Sequence, residues 1–224
     1  MGYSFQFSIV WDNLGLLFAG AWLTLKISLL AIGFGLIIGI IGAIFRTSKN
    51  KLLDTIALAY VEVIRNTPYL IQLFFIFFGI PNLGIKLTAE QAAILSLAVN
   101  FGAYSTEIVR AGVESIPKGQ VEAGMALGFK PLAIFRHIIL LPALANIYPA
   151  LVGQVILAVL FTSVVSQIAT EDLTFVGDFL NSRSFRSFEI YFALSLIYLL
   201  IVWLIKAIAF IIERRFFEFA KYRR

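Results

Sequence analysis

The chain has 224 residues, of which 60% are hydrophobic and 14% charged, and its mean hydropathy is +0.93. A soluble domain averages about 45–50% apolar and about 25% charged residues, so this composition excludes an ordinary soluble globule. The excess apolar surface has to face lipid, and the length suits one domain. We therefore expect an all-α integral membrane protein in which residues 1–224 form a single transmembrane domain.

Several residue types and motifs that carry chemistry are absent from the sequence. The chain contains no cysteine, one histidine (His137) and no G-x-x-x-x-G-K-[ST] motif. These absences argue against thiol catalysis, cysteine-based metal sites and a phosphate loop that would hydrolyse a nucleotide. We expect no catalytic residue, no bound metal and no cofactor in this chain.

Five segments are apolar and long enough to cross a bilayer, for which a helix needs about 20 residues. They are residues 21–44, 54–80, 89–109, 145–166 and 192–212. Residues 5–18 precede the first segment, and they form either a short interfacial helix or the frayed start of that span.

The first segment carries glycines at positions 33, 35, 39 and 42, which loosely match a dinucleotide-binding G-x-G-x-x-G motif. No strand precedes them, so we interpret them as small residues on a helix-packing face. The second segment is interrupted by Arg65-Asn66-Thr67-Pro68. Pro68 has no amide hydrogen, so a carbonyl about one turn earlier is left for another partner.

Two acid–base pairs are spaced i, i+3 near the ends of the predicted spans: Glu62 with Arg65, and Glu107 with Arg110. Side chains at this spacing can meet on one helix face. We interpret both pairs as structural ion pairs near the cytoplasmic boundary, with a role in a gate as the alternative.

Basic residues predict the orientation of the chain. Twelve of the 18 lysines and arginines lie in residues 46–51, 110–136 and 214–224. Because cytoplasmic loops are enriched in Lys and Arg, we expect an external N-terminus, five spans and a cytoplasmic C-terminus. The formal charge of +5 is therefore explained by the basic cytoplasmic segments of a membrane protein and does not indicate a nucleic-acid partner.

Residues 111–136 form a polar loop between the third and fourth spans. Pro117, Gly119, Gly128 and Pro131 predict short helical pieces within it. A helix over 121–127 could lie in a groove on another protein, with Glu122 available for a charged contact. An ordinary connecting loop is the alternative interpretation.

The sequence resembles a known family at four places. Glu122-Ala123-Gly124, followed by Gly128 and Leu141-Pro142, resembles the EAA loop of membrane subunits of ATP-binding-cassette (ABC) importers. Residues 65–75, 103–120 and 182–191 resemble the signatures of polar amino-acid permeases. The resemblance covers about residues 15–220, and the occurrence of the four motifs in order along the chain strengthens it.

This resemblance implies the transmembrane domain of a type I ABC importer in a bacterial inner membrane. The implied partners are a second permease subunit (homo- or heterodimer), two cytoplasmic ATP-binding subunits and an external solute-binding protein. ATP and Mg²⁺ would bind to the partner ATPase, and Glu122, Ala123, Gly124 and Gly128 would couple it to the spans. An ion-coupled secondary carrier or channel subunit is the alternative, although no clear internal repeat supports it.

Polar residues inside the predicted spans are candidates for the substrate path, because contact with lipid is costly for them. With one aromatic wall residue, the set is Asn100, Tyr104, Gln154, Phe161, Thr162 and Ser163. Hydrogen bonding between helices is the alternative role for each polar member. Where the family usually has a Lys and then an acidic or amide residue, this chain has Leu160-Phe161. We therefore expect a neutral or acidic substrate, or a subunit that does not itself bind substrate.

Overall fold

The computed structural model describes residues 4–217, and no strand occurs among them. The α-helices are α1 (Ser8–Asp12), α2 (Leu14–Arg46), α3 (Lys51–Arg65), α4 (Tyr69–Phe74), α5 (Ala89–Glu114), α6 (Lys118–Ala126), α7 (Pro131–Ile134), α8 (Leu140–Phe161), α9 (Leu173–Ser184) and α10 (Ser187–Phe216). Two π-helical turns, Phe75–Gly79 and Phe135–Ile139, and two 3₁₀ stretches, Ile80–Leu83 and Thr162–Ile168, continue these helices.

Helices α2 and α5 pack side by side and run in the same direction. Lys26 of α2 pairs with Glu90 near the start of α5 at 2.7 Å, and Arg46 pairs with Glu107 near its end at 3.3 Å. Between these pairs, Gly35 faces Phe101. Because parallel neighbours begin at the same end of a bundle, the chain between them has to return across it. The described residues contain four helices long enough to span a membrane, or five spans when the bent pair of α3 and α4 is counted as this return crossing.

The small-residue interpretation of the first segment is confirmed at three of its four glycines. A Cβ atom at Gly35, Gly39 or Gly42 would collide with α5 at Phe101, Ser105 or Thr106, respectively. These glycines therefore allow the close approach of the two helices. The prediction is wrong at Gly33, which has open space where a Cβ would lie, because it falls on a different face of α2.

The return crossing is made by α3 and α4, whose axes differ by 109° at the predicted interruption. Asn50 caps α3 through its side chain, and Pro68 precedes the first residue of α4. The charged residues at the end containing Arg46, Glu107 and α6 predict that this end is cytoplasmic, and we call it the inner end. The break lies between the inner end and the middle of the bundle.

The fourth span is longer than expected, and the preceding loop is shorter. Helical structure runs from Pro131 to Ile168, where the sequence predicted a span of 145–166 and a loop of 111–136. Helix α5 continues to Glu114, so only residues 115–130 separate the two spans. The loop bounds were wrong because α5 continues into the polar residues 110–114, and because the fourth span begins before the basic pair Arg136-His137. Gly119 lies inside α6 and does not break it.

At the opposite end, α1, α9 and the first turns of α10 pack around the start of α2. Val10, Leu17, Leu173 and Ile190 belong to the apolar cluster that joins these elements. Asp172 caps α9 by accepting from the backbone N–H of Phe175 at 3.0 Å. The two alternatives for residues 5–18 both hold in part, since α1 is a separate short helix and α2 already begins at Leu14.

Candidate functional site

Helix α6 is the only α-helix in the described loop between the third and fourth spans, and most of its surface is exposed. Its end is closed by Gly128, whose φ is +78°. Gly128 N–H donates to Met125 O at 2.9 Å, and Phe129 N–H donates to Gly124 O at 3.1 Å. These two bonds form a Schellman motif, in which glycine adopts the left-handed conformation without a side-chain penalty. Gly128 therefore ends a short helical piece, as the sequence predicted.

The buried face of α6 rests on the start of the fourth span. Gly124 is buried there, and a Cβ at its position would lie 2.6 Å from Ile138 Cδ1 and 3.3 Å from Ile134 Cγ1. This contact gives a physical reason for glycine at the third position of the EAA-like motif. Around this buried contact, Glu122, Met125 and Leu127 are exposed, the last with 75% of its surface accessible. One helix therefore joins the fourth span to a free apolar surface.

A network of five charged groups ties three helices together at the inner end. Arg46 of α2 contacts both Asp54 of α3 and Glu107 of α5. Arg110 donates to Glu107 at 2.7 Å and to Glu114 at 2.6 Å. The expected pairing of Glu107 with Arg110 is thus present, and Arg46 extends it to the neighbouring helices.

The corresponding pair of Glu62 and Arg65 does not form within the described part of the chain. Glu62 instead accepts from the Asn66 side-chain amide at 2.9 Å. The guanidinium carbon of Arg65 lies 5.2 Å from the centre of the Tyr104 ring. The prediction of an ion pair was wrong because α3 ends at Arg65, and the arginine side chain there reaches across to α5.

An inner cavity of about 490 Å³ lies between α3, α5 and α8. Its polar lining comprises Arg65, Tyr104, Glu107, Arg110, Ser115 and Asn146. Asn146 donates its amide to Ser115 Oγ at 2.9 Å and so links α8 to the end of α5. Tyr104, which the sequence assigned to the substrate path, therefore lies in one cavity with three residues that it assigned to ion pairs: Arg65, Glu107 and Arg110.

A second polar cluster lies at the break between α3 and α4. Gln72 Nε2 donates to the Ile64 carbonyl at 2.7 Å and to the Thr67 carbonyl at 2.9 Å. Gln72 Oε1 accepts from the Asn100 amide at 2.9 Å, which fixes the break against α5. The free carbonyl expected from Pro68 is therefore present and has a side-chain partner. Asn100 Oδ1 is buried without a partner among the described residues.

Phe161 closes the same region from the fourth span. Its ring stacks on Tyr69 with centroids 5.3 Å apart and an interplanar angle of 10°. The Tyr69 hydroxyl shares a hydrogen bond with Ser96 Oγ at 3.2 Å. The side chains at this point present an aromatic wall and neutral polar groups.

The remaining sequence candidates lie along the fourth span. Gln154 and Thr162 are buried, and Ser163 is half-buried. Thr162 Oγ1 donates to Val159 O, and Ser163 Oγ donates to Leu160 O, both at 2.7 Å. In this conformation both hydroxyls satisfy the backbone of their own helix.

Sequence reasoning missed several residues of these clusters, notably Tyr69, Gln72, Ser115 and Asn146. Gln72 could have been found, because Pro68 implies a free carbonyl and an amide four residues later can reach it. Nothing in the local pattern indicates the contact between Ser115 and Asn146, which are 31 residues apart. Among residues 4–217 no group of three His, Asp or Glu side chains is placed to hold a metal ion.

Comparison with known proteins decides the class of this helical membrane chain. Residues 35–218 match the family described as the inner membrane component of binding-protein-dependent transport systems. The chain belongs to this family. Members of this family are transmembrane permease subunits and not enzymes. This chain is accordingly a multi-pass permease of the inner membrane.

Similar proteins agree with this family assignment. The glutamine transport system permease protein of Escherichia coli (strain K12) is 37% identical over 213 residues, which cover 94% of this chain and 97% of that one. A probable glutamine ABC transporter permease protein of Bacillus subtilis (strain 168) is 34% identical over 87% of this chain and 90% of its own.

A solved structure supports the fold independently. The crystal structure of an amino acid ABC transporter with histidines matches 95% of this chain and 100% of its own with a TM-score of 0.88 and 33% identity. These similarities favour an ABC importer permease over an ion-coupled carrier, and they confirm the type I importer fold.

Proposed function

We propose that this permease imports polar amino acids with energy from ATP. It would work with a second permease subunit, as a homo- or heterodimer, with two cytoplasmic ATP-binding subunits and with an external solute-binding protein. ATP and Mg²⁺ would be bound by the ATPase, since this chain contains no phosphate loop. The named functions of the two glutamine permeases and of the amino acid transporter support this assignment.

The observation that carries the coupling role is the position of α6 between a free surface and the fourth span. Its exposed side offers Glu122, Ala123 and Leu127, while Gly124 rests on Ile138. Gly128 holds the turn that leads directly into Pro131 and the span. A movement of the ATPase against α6 would therefore be transmitted to the fourth span through packed side chains and a defined turn.

The substrate path would follow one face of α5 towards the inner end. Asn100, Tyr104 and Glu107 are spaced by four and three residues, which places them on one helical face. Asn100 lies at the helix break and Tyr104 in the inner cavity. Gln154, Phe161, Thr162 and Ser163 of the fourth span would form the facing wall in another conformation of the cycle.

The side chains near the break favour a neutral substrate. Phe161 stacks on Tyr69, and the polar groups next to this stack are the Ser96 hydroxyl and the side-chain amides of Gln72 and Asn100. A basic amino acid would require a fixed negative charge in a site of low dielectric constant. Glutamine, whose side chain is a neutral amide, fits these groups, unless the second permease subunit alone contacts the substrate.

Uptake by a reconstituted complex tests this proposal. Proteoliposomes would contain the permease, its ATPase and internal ATP, with labelled glutamine and the solute-binding protein outside. We expect accumulation only when the ATPase and ATP are both present. Uptake by the permease without an ATPase would contradict the proposal and favour an ion-coupled carrier.

A matched pair of acidic residues tests the coupling surface in the same assay. Glu122 and Glu171 are both exposed, but only Glu122 lies on α6. We expect Glu122→Ala to lower ATP-driven uptake about tenfold, because a contact to a charged group is lost, and Glu171→Ala to retain it. Equal uptake by the two variants would show that Glu122 does not contribute to coupling with the ATPase.

A further inference from the structure

Arg65 carries the unpaired positive charge of the inner cavity. Arg46 and Arg110 are both engaged by carboxylates, whereas Arg65 has no carboxylate within 4.0 Å among residues 4–217. Its recorded contact is the face of the Tyr104 ring, 5.2 Å from the guanidinium carbon. A cation–π contact uses the charge but none of the N–H donors, so Arg65 keeps a planar set of donors for an acceptor.

The other side of the cavity carries oxygen atoms that can accept hydrogen bonds. Glu107 is negatively charged, and its Oε1 has one recorded contact, the Arg46 Nε donor at 3.3 Å. Asn146 donates its amide nitrogen to Ser115, which leaves its carbonyl oxygen free to accept. The cavity therefore holds fork-shaped donors on one wall and oxygen acceptors on another.

We infer that this cavity is a second amino-acid site, on the cytoplasmic side, which binds the α-carboxylate through Arg65 and the α-ammonium through Glu107 and Asn146. A guanidinium binds a carboxylate through two parallel N–H donors, and this geometry selects for it. The volume of about 490 Å³ lies within the range of about 300–1,000 Å³ that is typical of small-molecule sites.

The site has a consequence for the transport cycle, and this step rests on the proposed function. The inner cavity follows Asn100 and Tyr104 along α5, so an amino acid on its way out of the membrane would meet it last. Internal amino acid at high concentration would occupy the same site. Because it bridges α3, α5 and α8, it would hold these helices in one arrangement and slow the next cycle.

Proteoliposomes preloaded with different internal glutamine concentrations test this inference. The measured quantity is the ratio of the initial rate of ATP-driven uptake with internal glutamine to the rate without it. We expect this ratio to fall with internal glutamine for the wild type. For Arg65→Gln the half-inhibitory concentration should rise about tenfold, because a charge-assisted hydrogen bond is lost, and Arg65→Lys should rescue it in part.

Arg183 supplies the matched control, since its guanidinium also lies over an aromatic ring, 4.1 Å from the centre of Phe179, but on α9. Arg183→Gln should retain the wild-type ratio. Two internal probes identify the group that is bound: glutaminamide, which lacks the carboxylate, should inhibit at least tenfold more weakly, and N-acetylglutamine should keep the contact to Arg65.

The outcomes separate this inference from the proposed function. Uptake that is insensitive to internal glutamine, or equally inhibited in the wild type and Arg65→Gln, would overturn the second site alone. Inhibition by glutaminamide as strong as that by glutamine would overturn the carboxylate contact. Absence of ATP-driven uptake by the wild-type complex would overturn the proposed function and the second site with it.

Discussion

The side-chain amide of Gln72 donates to the carbonyl oxygen of Ile64 over 2.7 Å and thereby closes the break between α3 and α4. Pro68 lacks the amide hydrogen that a continuous helix would supply, and two axes meet there at 109°. In a membrane no water is present to satisfy such a carbonyl. One glutamine therefore stabilises a bend that the return crossing of the chain requires.

We expect Gln72→Leu to destabilise the permease by about 2–3 kcal/mol, because it removes the side-chain amide that donates to the Ile64 and Thr67 carbonyls and accepts from Asn100. Thermal unfolding of the purified protein in detergent measures the change. Gln167→Leu is the control, since Gln167 is exposed and donates only to Ser166 at 3.4 Å. Equal midpoints for the two variants would show that the bend does not depend on Gln72.

The contact between α2 and α5 can be tested with two glycines of one helix. We expect Gly42→Ala to cost about 1–3 kcal/mol, because its Cβ would meet Thr106. Gly33→Ala should leave the stability unchanged or raise it by up to about 1 kcal/mol, since open space surrounds that position. The same unfolding assay checks both, and a neutral Gly42→Ala variant would contradict the close packing.

The turn after α6 can be tested in the same way. We expect Gly128→Ala to cost about 1–2 kcal/mol, because φ is +78° and a side chain is strained there. The local distortion should reduce ATPase stimulation by the assembled permease. Gly119→Ala is the matched control, since Gly119 lies inside α6 with open space at its Cβ. If both variants lose ATPase stimulation equally, the loss depends on α6 as a whole and not on the turn at Gly128.

Asp172 predicts a pH-dependent stability of the α9 region. Burial raises the pKa of its carboxyl group to about 6, although the Phe175 N–H and the Tyr198 hydroxyl favour the ionised form. A raised pKa means that this group stabilises the fold most below its ordinary pKa of 3.8, and that this contribution is lost as the pH rises towards 6. The unfolding midpoint of the wild type should therefore fall over this range.

Asp172→Asn removes the ionisation and keeps a good helix cap. Its midpoint should vary less between pH 4 and pH 7 than that of the wild type. Asp12→Asn is the control, because Asp12 is exposed at the end of α1. A variant at position 172 with the full wild-type pH dependence would assign that dependence to other groups.

Residues whose chemistry acts locally were predictable from the sequence. Proline fixed the position of the break, and glycine fixed the turn at position 128, because both act through their own backbone. The lengths of the helices were less predictable, since α5 extends into polar residues that carry no hydropathy signal and the fourth span continues through the basic pair Arg136-His137.

Contacts between residues far apart in the sequence could not be predicted from the local sequence pattern. Arg65 was expected to pair within its helix, yet it lies over Tyr104, which is 39 residues away. The stacking of Phe161 on Tyr69 and the seating of Gly124 on Ile138 also depend on how helices pack. The inner cavity exists only because such contacts bring α3, α5 and α8 together.

Photo-crosslinking can test whether α6 couples this permease to a separate ATPase. The chain has no cysteine, so Leu127→Cys introduces one labelling site directly after α6 for a benzophenone maleimide. Phe185→Cys is the control, because Phe185 is similarly exposed (85%) but follows α9. We predict that illumination of the assembled complex joins the ATPase to position 127 and not to position 185. An ATPase adduct at 185, or none at 127, would contradict the account.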